Sequence, residues 1–470
     1  MTMTKAMARP MARTMTKAMA RTMTMMARPM ARTMNPGPAF APRSTLPVVL
    51  ALALWATPAL ALIEWEAGAE KGGARQPIWL DPIATAGGDK KLGSMAKAGE
   101  AVLVDDLVLS AYFRVDGPVA ADLAPRGEEV ARSKGPDLTA VVSGRLEPAG
   151  GSTRFVGRVV SYPGEKLIFE RTYPASGEIR PVMHAFADDV VLHLTGEQGL
   201  ARTRIACICS ASKAREVLVF DYDGFGARQL TRDGSSNIGP SWSPVDPLIA
   251  YTSFKSGEAD LYAVHADDGK AYTISQRPGL DTAPAWSPDG RFLAVTLSFK
   301  ERNPDIYIVR RNGEIVERLT FHPGIDTSPC FSPTGREVAF ISDRLGTPRI
   351  FITDAEGLNA TPLPVPQTFV DSPAWSPRGD RIAYAARTGG GNYDIFVATL
   401  DGAIVQQLTS SVGSSENPRW SPDGRQIVFS STRSGQRAVY VMLADGSNQR
   451  RLTPKDKVCF YPTWSPRPAK

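Results

Sequence analysis

The pentapeptide WSPDG occupies residues 286–290 and returns at residues 420–424. Four looser copies, WSP, FSPTG, WSPRG and WSP, begin at Trp242, Phe331, Trp375 and Trp464. The six copies follow one another at intervals of 44, 45, 44, 45 and 44 residues. A period in the forties that is built from short strands is typical of a β-propeller, in which each repeat forms one four-stranded blade.

Each repeat contains four short β-rich segments. After the PDG turn come the apolar run 292–298, the segment IYIVRRNG at 306–313 with its Asn-Gly hairpin signal, and ERLT at 317–320. The segment GIDTSPCF then leads into the next WSP-type turn. The repeat therefore predicts four strands for every blade.

The number of blades follows from the two ends of the repeat array. Strands of the type that follows the WSP turn begin near Arg204, Leu248, Phe292, Glu337, Arg381 and Gln426. The first of these has no WSP before it, and the last WSP, at Trp464, has no strand after it. Pairing the two closes the ring and leaves no open sheet edge. We predict an all-β propeller of six blades over residues 200–470, closed by pairing of the C-terminal strand with the first blade.

The N-terminal 61 residues have the composition of export signals. Residues 1–43 repeat MTMTKAMARPMART with little change, which cannot build a core. We interpret them as an extended Arg-rich targeting peptide or as the product of a start codon assigned too far upstream, with Met34 as the natural start. Residues 44–61 hold a short apolar run and end in Ala-Leu-Ala, as in a secretory signal cleaved after Ala61. The apolar run is too short to span a bilayer, so we expect no direct membrane insertion.

The formal net charge of +6 is positive only because of the basic residues in this N-terminal segment. The chain has 54 Lys and Arg against 48 Asp and Glu, and residues 1–61 hold eight of the basic residues and no acid. Without the leader, 46 basic residues stand against 48 acidic ones. A mature chain without a basic surplus gives no reason to expect nucleic acid as a partner.

Residues 62–199 have a different pattern and predict a small α/β domain. ARQPIWLDPI predicts a strand, residues 96–113 a helix, and LTAVVSGRLEP, RFVGRVVSYP and KLIFERTYP three successive strands. A second helix closes the region, because Val182, Phe186, Val190 and Leu194 form one apolar stripe.

The combination of these features resembles the TolB family over essentially the whole mature chain. The motifs that carry the resemblance are ARQPIWLDPI, DDLVLSAYF, DLTAVVSGRL, the joint LARTRIACICS and the terminal YPTWSP. The repetitive leader, the cysteines and the mature N-terminus LIEWEAG depart from it. The resemblance implies a monomeric, non-enzymatic periplasmic adaptor of the Tol-Pal system, which maintains outer-membrane integrity and helps the envelope to constrict at cell division.

The resemblance also implies two protein partners. The inner-membrane-anchored TolA would contact the N-terminal segment that begins with Leu62, Ile63, Glu64, Trp65 and Glu66. The peptidoglycan-associated lipoprotein Pal would bind one face of the propeller, at the loops that precede the WSP-type turns. The residues expected on this Pal face are Asp281, Thr282, Ala283, Asp326, Thr327, Ser328, Asp371, Ser372 and Glu416.

The four acidic residues of the Pal face are expected at one structural level, alternating with loops that carry Arg302, Arg344, Arg387 and Arg433. A polar, specific interface suits such a mixture of charges. Alternatively, the acids only bond the backbone of their own turns, as in Asx-turns. On the first interpretation, joint substitution of Asp326 and Thr327 by Arg should abolish Pal binding and leave thermal unfolding nearly unchanged.

The positions of the four cysteines suggest a disulfide bond at the closure of the propeller ring. Aligning the first blade with the repeat at 281–298 places Cys459 across a hairpin from Cys209, with Cys207 on the same face. Cys459 could therefore bond either of them, which an oxidising periplasm allows. The alternative is that all are small buried apolar residues, and Cys330 has no expected partner. Cys207 and Cys209 lack the C-x-x-C pairs or nearby His of a zinc site.

An enzymatic function is not supported by any motif. A peptidase-associated propeller would need a G-x-S-x-G elbow and a downstream His, and the sequence contains no G-x-S-x-G. The histidines are scattered along the chain at His184, His193, His265 and His322. We expect no cofactor, but the sequence leaves open whether a divalent cation binds in the channel. The main alternative function is a secreted propeller that binds a small ligand or sugar in its channel.

Overall fold

A computed structural model describes residues 75–85, 89–123, 133–175, 177–211, 214–298, 303–410 and 413–468. These residues belong to one compact unit, Ala67–Lys470. The predicted leader, the signal peptide with its cleavage at Ala61, and Arg302 lie outside the described residues. The same holds for the residues expected to contact TolA, which are Leu62, Ile63, Glu64, Trp65 and Glu66.

The N-terminal part is a mixed sheet covered by helices. Its elements are β1 (Gln76–Leu80), β2 (Ala84–Thr85), α1 (Lys90–Leu109), β3 (Phe113–Asp116), α2 (Pro118–Leu123), β4 (Ala140–Ala149), β5 (Ser152–Ser161), β6 (Leu167–Pro174) and α3 (Arg180–Thr195). The sheet order is β3-β1-β4-β5-β6, and β2 pairs with β4. Strand β1 runs parallel to β3 and β4, whereas β4, β5 and β6 are antiparallel.

Both long helices have physical reasons for their bounds and faces. The side chain of Asp89 caps α1 by accepting the N–H groups of Lys91 and Leu92. Helix α3 ends at Gly196, whose φ of 78° is left-handed. Its predicted apolar stripe is buried at Val182, Phe186 and Val190 and half-buried at Leu194. None of the described helices is long and apolar enough to cross a membrane.

The rest of the described chain forms six four-stranded antiparallel sheets. Blade 1 contains β7 (Arg204–Ala211), β8 (Ala214–Asp221), β9 (Arg228–Gln229) and, as its innermost strand, β30 (Cys459–Trp464). Blade 2 contains β10 (Asn237–Trp242), β11 (Leu248–Ser253), β12 (Asp260–His265) and β13 (Ala271–Ser275). Blade 3 contains β14 (Asp281–Trp286), β15 (Phe292–Leu297), β16 (Asp305–Arg310) and β17 (Ile315–Arg318).

The second half of the ring repeats the pattern. Blade 4 contains β18 (Asp326–Phe331), β19 (Glu337–Ser342), β20 (Arg349–Asp354) and β21 (Thr361–Pro362). Blade 5 contains β22 (Val370–Trp375), β23 (Arg381–Arg387), β24 (Tyr393–Thr399) and β25 (Val405–Gln407), with a short 3-10 turn at Gly389–Gly391. Blade 6 contains β26 (Ser415–Trp420), β27 (Gln426–Ser431), β28 (Ala438–Leu443) and β29 (Arg450–Arg451). The predicted fold, an α/β part followed by a six-bladed propeller closed by the C-terminal strand, is confirmed.

The Trp, Ser, Asp and Gly residues of the WSPDG sequence each have a structural role in blade 3. The indole N–H of Trp286 donates to the carbonyl of Ser241 in the preceding blade at 3.0 Å, and so joins neighbouring blades. The hydroxyl of Ser287 bonds Asp289 at 2.6 Å and accepts the N–H of Phe292 at 3.0 Å, which closes the turn. Gly290 has a φ of 65°, a conformation that glycine adopts without steric cost. In blade 6 the indole of Trp420 makes the same link to Ala374, and Ser421 bonds Asp423, so the two exact copies of the phrase have the same roles. In blade 5 the indole of Trp375 donates instead to Gly379 in its own turn.

The ring closure carries a disulfide bond. Cys459 of β30 lies opposite Cys209 of β7, and the two sulfurs are bonded. Asp281 and Leu297 occupy the equivalent pair in blade 3. The thiol of Cys207 is fully buried with its sulfur 3.4 Å from that of Cys209. Because burial raises the pKa of Cys207, it stays a thiol and acts as a small core residue.

We expect substitution of Cys459 by Ala to lower the free energy of unfolding by about 2–5 kcal/mol, because the bond closes a very long loop in the unfolded chain. Urea denaturation without reductant measures this loss. Cys207→Ala is the matched control, since it removes a sulfur from the same cluster without removing a cross-link, and should cost about 1 kcal/mol. Equal losses in the two variants would show that packing, and not the bond, provides the stability.

The α/β part packs on the side of the propeller where the first strand of each blade turns into the second. The side-chain amide of Gln426, just after such a turn in blade 6, donates to the carbonyl of Leu109 at 2.9 Å. The hydroxyl of Tyr222, after β8, donates to the carboxylate of Asp106 in α1 at 3.1 Å. One hydrophobic cluster includes residues of α1, α3, blade 1 and blade 6. The opposite mouth of the channel carries none of these contacts.

A buried ionic network crosses this interface. His184 in α3 bonds Asp106 at 2.8 Å, and Arg180 binds Asp221 at 3.0 Å and also Asp223, both in the propeller. Burial opposes the charge on His184, but hydrogen bonds to Asp106 and Asp221 outweigh burial and raise its pKa to about 9. The pKa of Asp106 is raised to about 7, because burial outweighs the effect of His184. The network fixes the α/β part on the propeller.

Candidate functional site

The innermost strands of the six blades surround a cavity of about 560 Å³ that extends from the level of Thr282 and Ser328 to the WSP-type turns. The mouth at the Thr282 end lies on the side away from the contacts with the α/β part, and we call it the open mouth. These strands are β10, β14, β18, β22, β26 and β30. A cavity of this size and concavity is the usual form of a binding site.

The third residue of every innermost strand has a left-handed backbone. The six residues are Gly239, Ala283, Ser328, Ser372, Asn417 and Tyr461, with φ between 52° and 57°. Each stands before a proline, and the pairing with the second strand shifts at this point in all six blades. Such a bulge interrupts the alternation of the strand, and a left-handed conformation costs a non-glycine residue about 1 kcal/mol or more. All six of these residues line the cavity.

Six of the nine residues predicted for the Pal face line the cavity. They are Thr282, Ala283, Thr327, Ser328, Asp371 and Ser372. Thr282 and Thr327 are half-buried, and their hydroxyls accept bonds from Thr252 at 3.2 Å and Thr296 at 3.4 Å in the adjacent strands. The structure brings these six together on three consecutive blades.

The prediction that four acids share one structural level is wrong. Asp281 and Asp326 are the first residues of their strands and pair with Leu297 and Ser342. In blades 5 and 6 that first position is taken by Val370 and Ser415. Asp371 and Glu416 therefore stand one residue later, and because side chains alternate along a strand they do not share the orientation of Asp281 and Asp326.

Asp281 and Asp326 have structural roles, because both are fully buried. Asp281 accepts the hydroxyl of Ser275 and, at 3.2 Å, the backbone N–H of Arg277. Asp326 accepts a bond from the guanidinium of Arg344 at 2.7 Å. Asp281 therefore connects blade 3 to the end of blade 2, and Asp326 pairs within blade 4. Neither of these two acids lines the cavity.

Arg344 and Arg433, in the neighbouring loops, form their contacts within their own blades. The guanidinium of Arg344 lies over the rings of Phe340 and Phe351 and bonds Ser342 at 2.9 Å. Arg433 bonds Ser431 at 3.0 Å in the same way. The remaining predicted acid, Glu416, is half-buried and pairs with Arg437 at 3.1 Å, outside the residues that line the cavity.

The channel lining also includes residues that were not predicted from the sequence, among them Asn417, Arg419 and Tyr461. The side-chain amide of Asn417 donates to Ser372 at 2.9 Å, and Asn417 accepts the hydroxyl of Ser430 at 2.9 Å. Aligning all six repeats on their prolines would have found them, because Asn417 and Tyr461 precede a proline and Arg419 follows one.

Two groups of described residues have metal-ligand spacing, and both lie away from the channel. One is Cys207 with the bonded Cys209 and Cys459, in which only one thiol stays free. The other is Asp106, His184 and Asp223, where Arg180 already supplies the positive charge. Of the described carboxylates, only that of Asp371 lines the cavity, so the channel offers poor support for a divalent cation.

Comparisons with known proteins agree with this architecture. The family model of the TolB β-propeller domain matches residues 191–390 and 366–470. A TolB homolog from Chlorobium luteolum is 36% identical over 68% of this chain and 73% of its own length. The Tol-Pal system protein TolB of Desulfosudis oleivorans is 34% identical over 43% of this chain, a match that spans about half of that relative, 48%.

A solved structure shows the same fold. The crystal structure of TolB from Acinetobacter baumannii superposes with a TM-score of 0.70 over 83% of this chain and 97% of that chain, at 23% identity. The family model covers more than half of the chain, and a relative above 30% identity covers two thirds of it. The chain belongs to the TolB family.

Proposed function

We propose that this protein is a non-enzymatic periplasmic adaptor of the Tol-Pal system that binds Pal at the open mouth of its propeller and TolA through its N-terminal segment. Support comes from relatives named as Tol-Pal system proteins. Maintaining outer-membrane integrity and constricting the envelope at division are the roles that such an adaptor serves.

The observation that carries the Pal site is the rigid set of small side chains at the open mouth. Thr282 and Ala283 in blade 3 stand beside Thr327 and Ser328 in blade 4, on strands that pack against each other. Their backbones are fixed by the strand pairing and by the proline that follows each left-handed residue. A surface fixed before binding loses little conformational entropy when a partner docks.

The TolA site and the route of export rest on the sequence. Cleavage after Ala61 would release a chain that begins with Leu62, Ile63 and Glu64, ahead of the first described strand. A segment at the chain terminus can bind a second partner while the propeller mouth holds the first.

Two binding measurements on the chain from Leu62 onward test the proposal. Immobilised protein should capture both the purified periplasmic domain of Pal and that of TolA. Deletion of residues 62–68 should remove TolA binding and leave Pal binding and the unfolding temperature unchanged, because terminal residues ordinarily contribute little to a folded core. Failure of the intact chain to bind Pal would overturn the adaptor role, and undiminished TolA binding by the deleted chain would move the TolA site elsewhere.

A further inference from the structure

We propose that the channel also binds a small zwitterion, an amino acid or a short free peptide, whose carboxylate pairs with Arg419 and whose ammonium group pairs with Asp371. The site lies inside the channel and includes Asp371, which is also one of the residues expected on the Pal face, but its test needs no Pal. It identifies a ligand class for the cavity of about 560 Å³.

The charges of the channel are concentrated at one place. Among the described residues that line the cavity, Arg419 and Asp371 are the only charged ones. They belong to β26 and β22, the innermost strands of adjacent blades. At the position of Arg419 the other blades carry Ser241, Ala285, Cys330, Ala374 and Thr463. The arginine is therefore specific to one blade and is not part of the propeller repeat.

Neither charge has an ion-pair partner among the described residues. The guanidinium of Arg419 donates to the carbonyl of Pro418 at 2.8 Å, which is a neutral acceptor. The carboxylate of Asp371 accepts the backbone N–H of Ser372 at 2.7 Å. The two groups attract each other, but they are too far apart for a direct salt bridge. Asp371 is exposed to the channel and Arg419 is half-buried, so both charges are accessible to a ligand. A ligand that carries both charges would supply each of them with an ion-pair partner.

The electrostatics of both side chains agree with this interpretation. Burial lowers the pKa of Arg419, and the attraction to Cys330 and Asp371 compensates only in part. The surrounding channel walls raise the pKa of Asp371 by partial desolvation, opposed by the bonds from Ser372 and the charge of Arg419, although the carboxylate stays accessible from the channel. Each group would be stabilised in its charged form by an opposite charge, and a planar guanidinium binds a carboxylate through two parallel bonds.

The walls around the pair limit the size and chemistry of the ligand. The volume falls within the range of small-molecule sites, and it exceeds that of a single amino acid. Prolines and the edges of Trp375 and Trp420 make much of the lining apolar, and the hydroxyl side chains of Ser328 and Ser372 add polar contacts. With one cation and one anion, the channel suits a neutral zwitterion better than a polyanion.

Isothermal titration with the dipeptide alanyl-alanine and two capped forms tests the site. The dipeptide should bind the full mature chain at millimolar concentrations or below. Its amide, which lacks the carboxylate, and its N-acetyl form, which lacks the ammonium group, should each bind about tenfold more weakly, because each loses one charged hydrogen-bonded contact. Arg419→Met and Asp371→Asn should reproduce these losses for the unmodified dipeptide.

Matched variants distinguish a ligand-binding role of Arg419 and Asp371 from a purely structural role. Arg310→Met removes an exposed arginine that pairs with Glu314 outside the channel, and should leave dipeptide binding unchanged. Arg419→Lys keeps the charge without the planar fork and should give an intermediate loss, which also covers the case that Arg419→Met fails to fold. The proposal is overturned if wild-type protein does not bind the dipeptide, or if the capped forms or Arg419→Lys and Asp371→Asn proteins bind as tightly as the reference.

Discussion

Replacing Thr327 by Arg should lower the proposed affinity for Pal by at least about 100-fold, equivalent to about 2.7 kcal/mol. Thr327 is half-buried at the mouth of the channel, and only a weak hydroxyl contact with Thr296, at 3.4 Å, would be lost inside the protein. The long cationic side chain can extend into the channel without disturbing the blade, where it occupies the surface on which Pal would dock. Titration calorimetry with the periplasmic domain of Pal measures the loss.

Thr361→Arg is the matched control for this variant. Thr361 is exposed on β21, the outermost strand of the same blade, so the same substitution changes the net charge equally without touching the channel. Its Pal affinity and the unfolding temperatures of both variants should equal those of wild type within error. If Thr327→Arg binds Pal as tightly as the control does, the docking face lies elsewhere on the molecule.

Asp326→Arg, one residue earlier, lowers the free energy of unfolding by about 3–5 kcal/mol. The carboxylate of Asp326 is fully buried and pairs with Arg344 at 2.7 Å. The substitution removes the partner of Arg344 and places a second cation beside it in a space closed to water. Urea denaturation, with the midpoint and slope fitted together, measures the effect.

Asp267→Ala provides the comparison for an exposed ion pair. Asp267 pairs with Arg204 at 2.7 Å and its side chain is 55% exposed, so its removal should cost about 0–1 kcal/mol. A loss below about 1 kcal/mol for Asp326→Arg would mean that the buried pair contributes little. The joint substitution of Asp326 and Thr327 by Arg is therefore a poor test of Pal binding, since it would lose binding by unfolding the blade.

The period of the sequence was sufficient to predict the fold. Six WSP-type turns at a nearly constant spacing define six blades, because each turn follows the innermost strand of one four-stranded blade. The two unmatched ends indicate the closure, and the register of that closure places Cys459 opposite Cys209. Turns and strand pairs form within one repeat of the chain, so a single sequence is enough to predict them.

Which side chains face the channel was decided by the tertiary structure. Asp281 and Asp371 belong to similar loops, yet a displacement of one residue buries the first and leaves the second accessible in the channel. The network of His184, Asp106 and Tyr222 likewise joins residues up to 116 positions apart. Side-chain direction reverses with every residue along a strand, and a bulge shifts that alternation again. Contacts between distant segments depend on how whole domains pack, and no local pattern in the sequence records them.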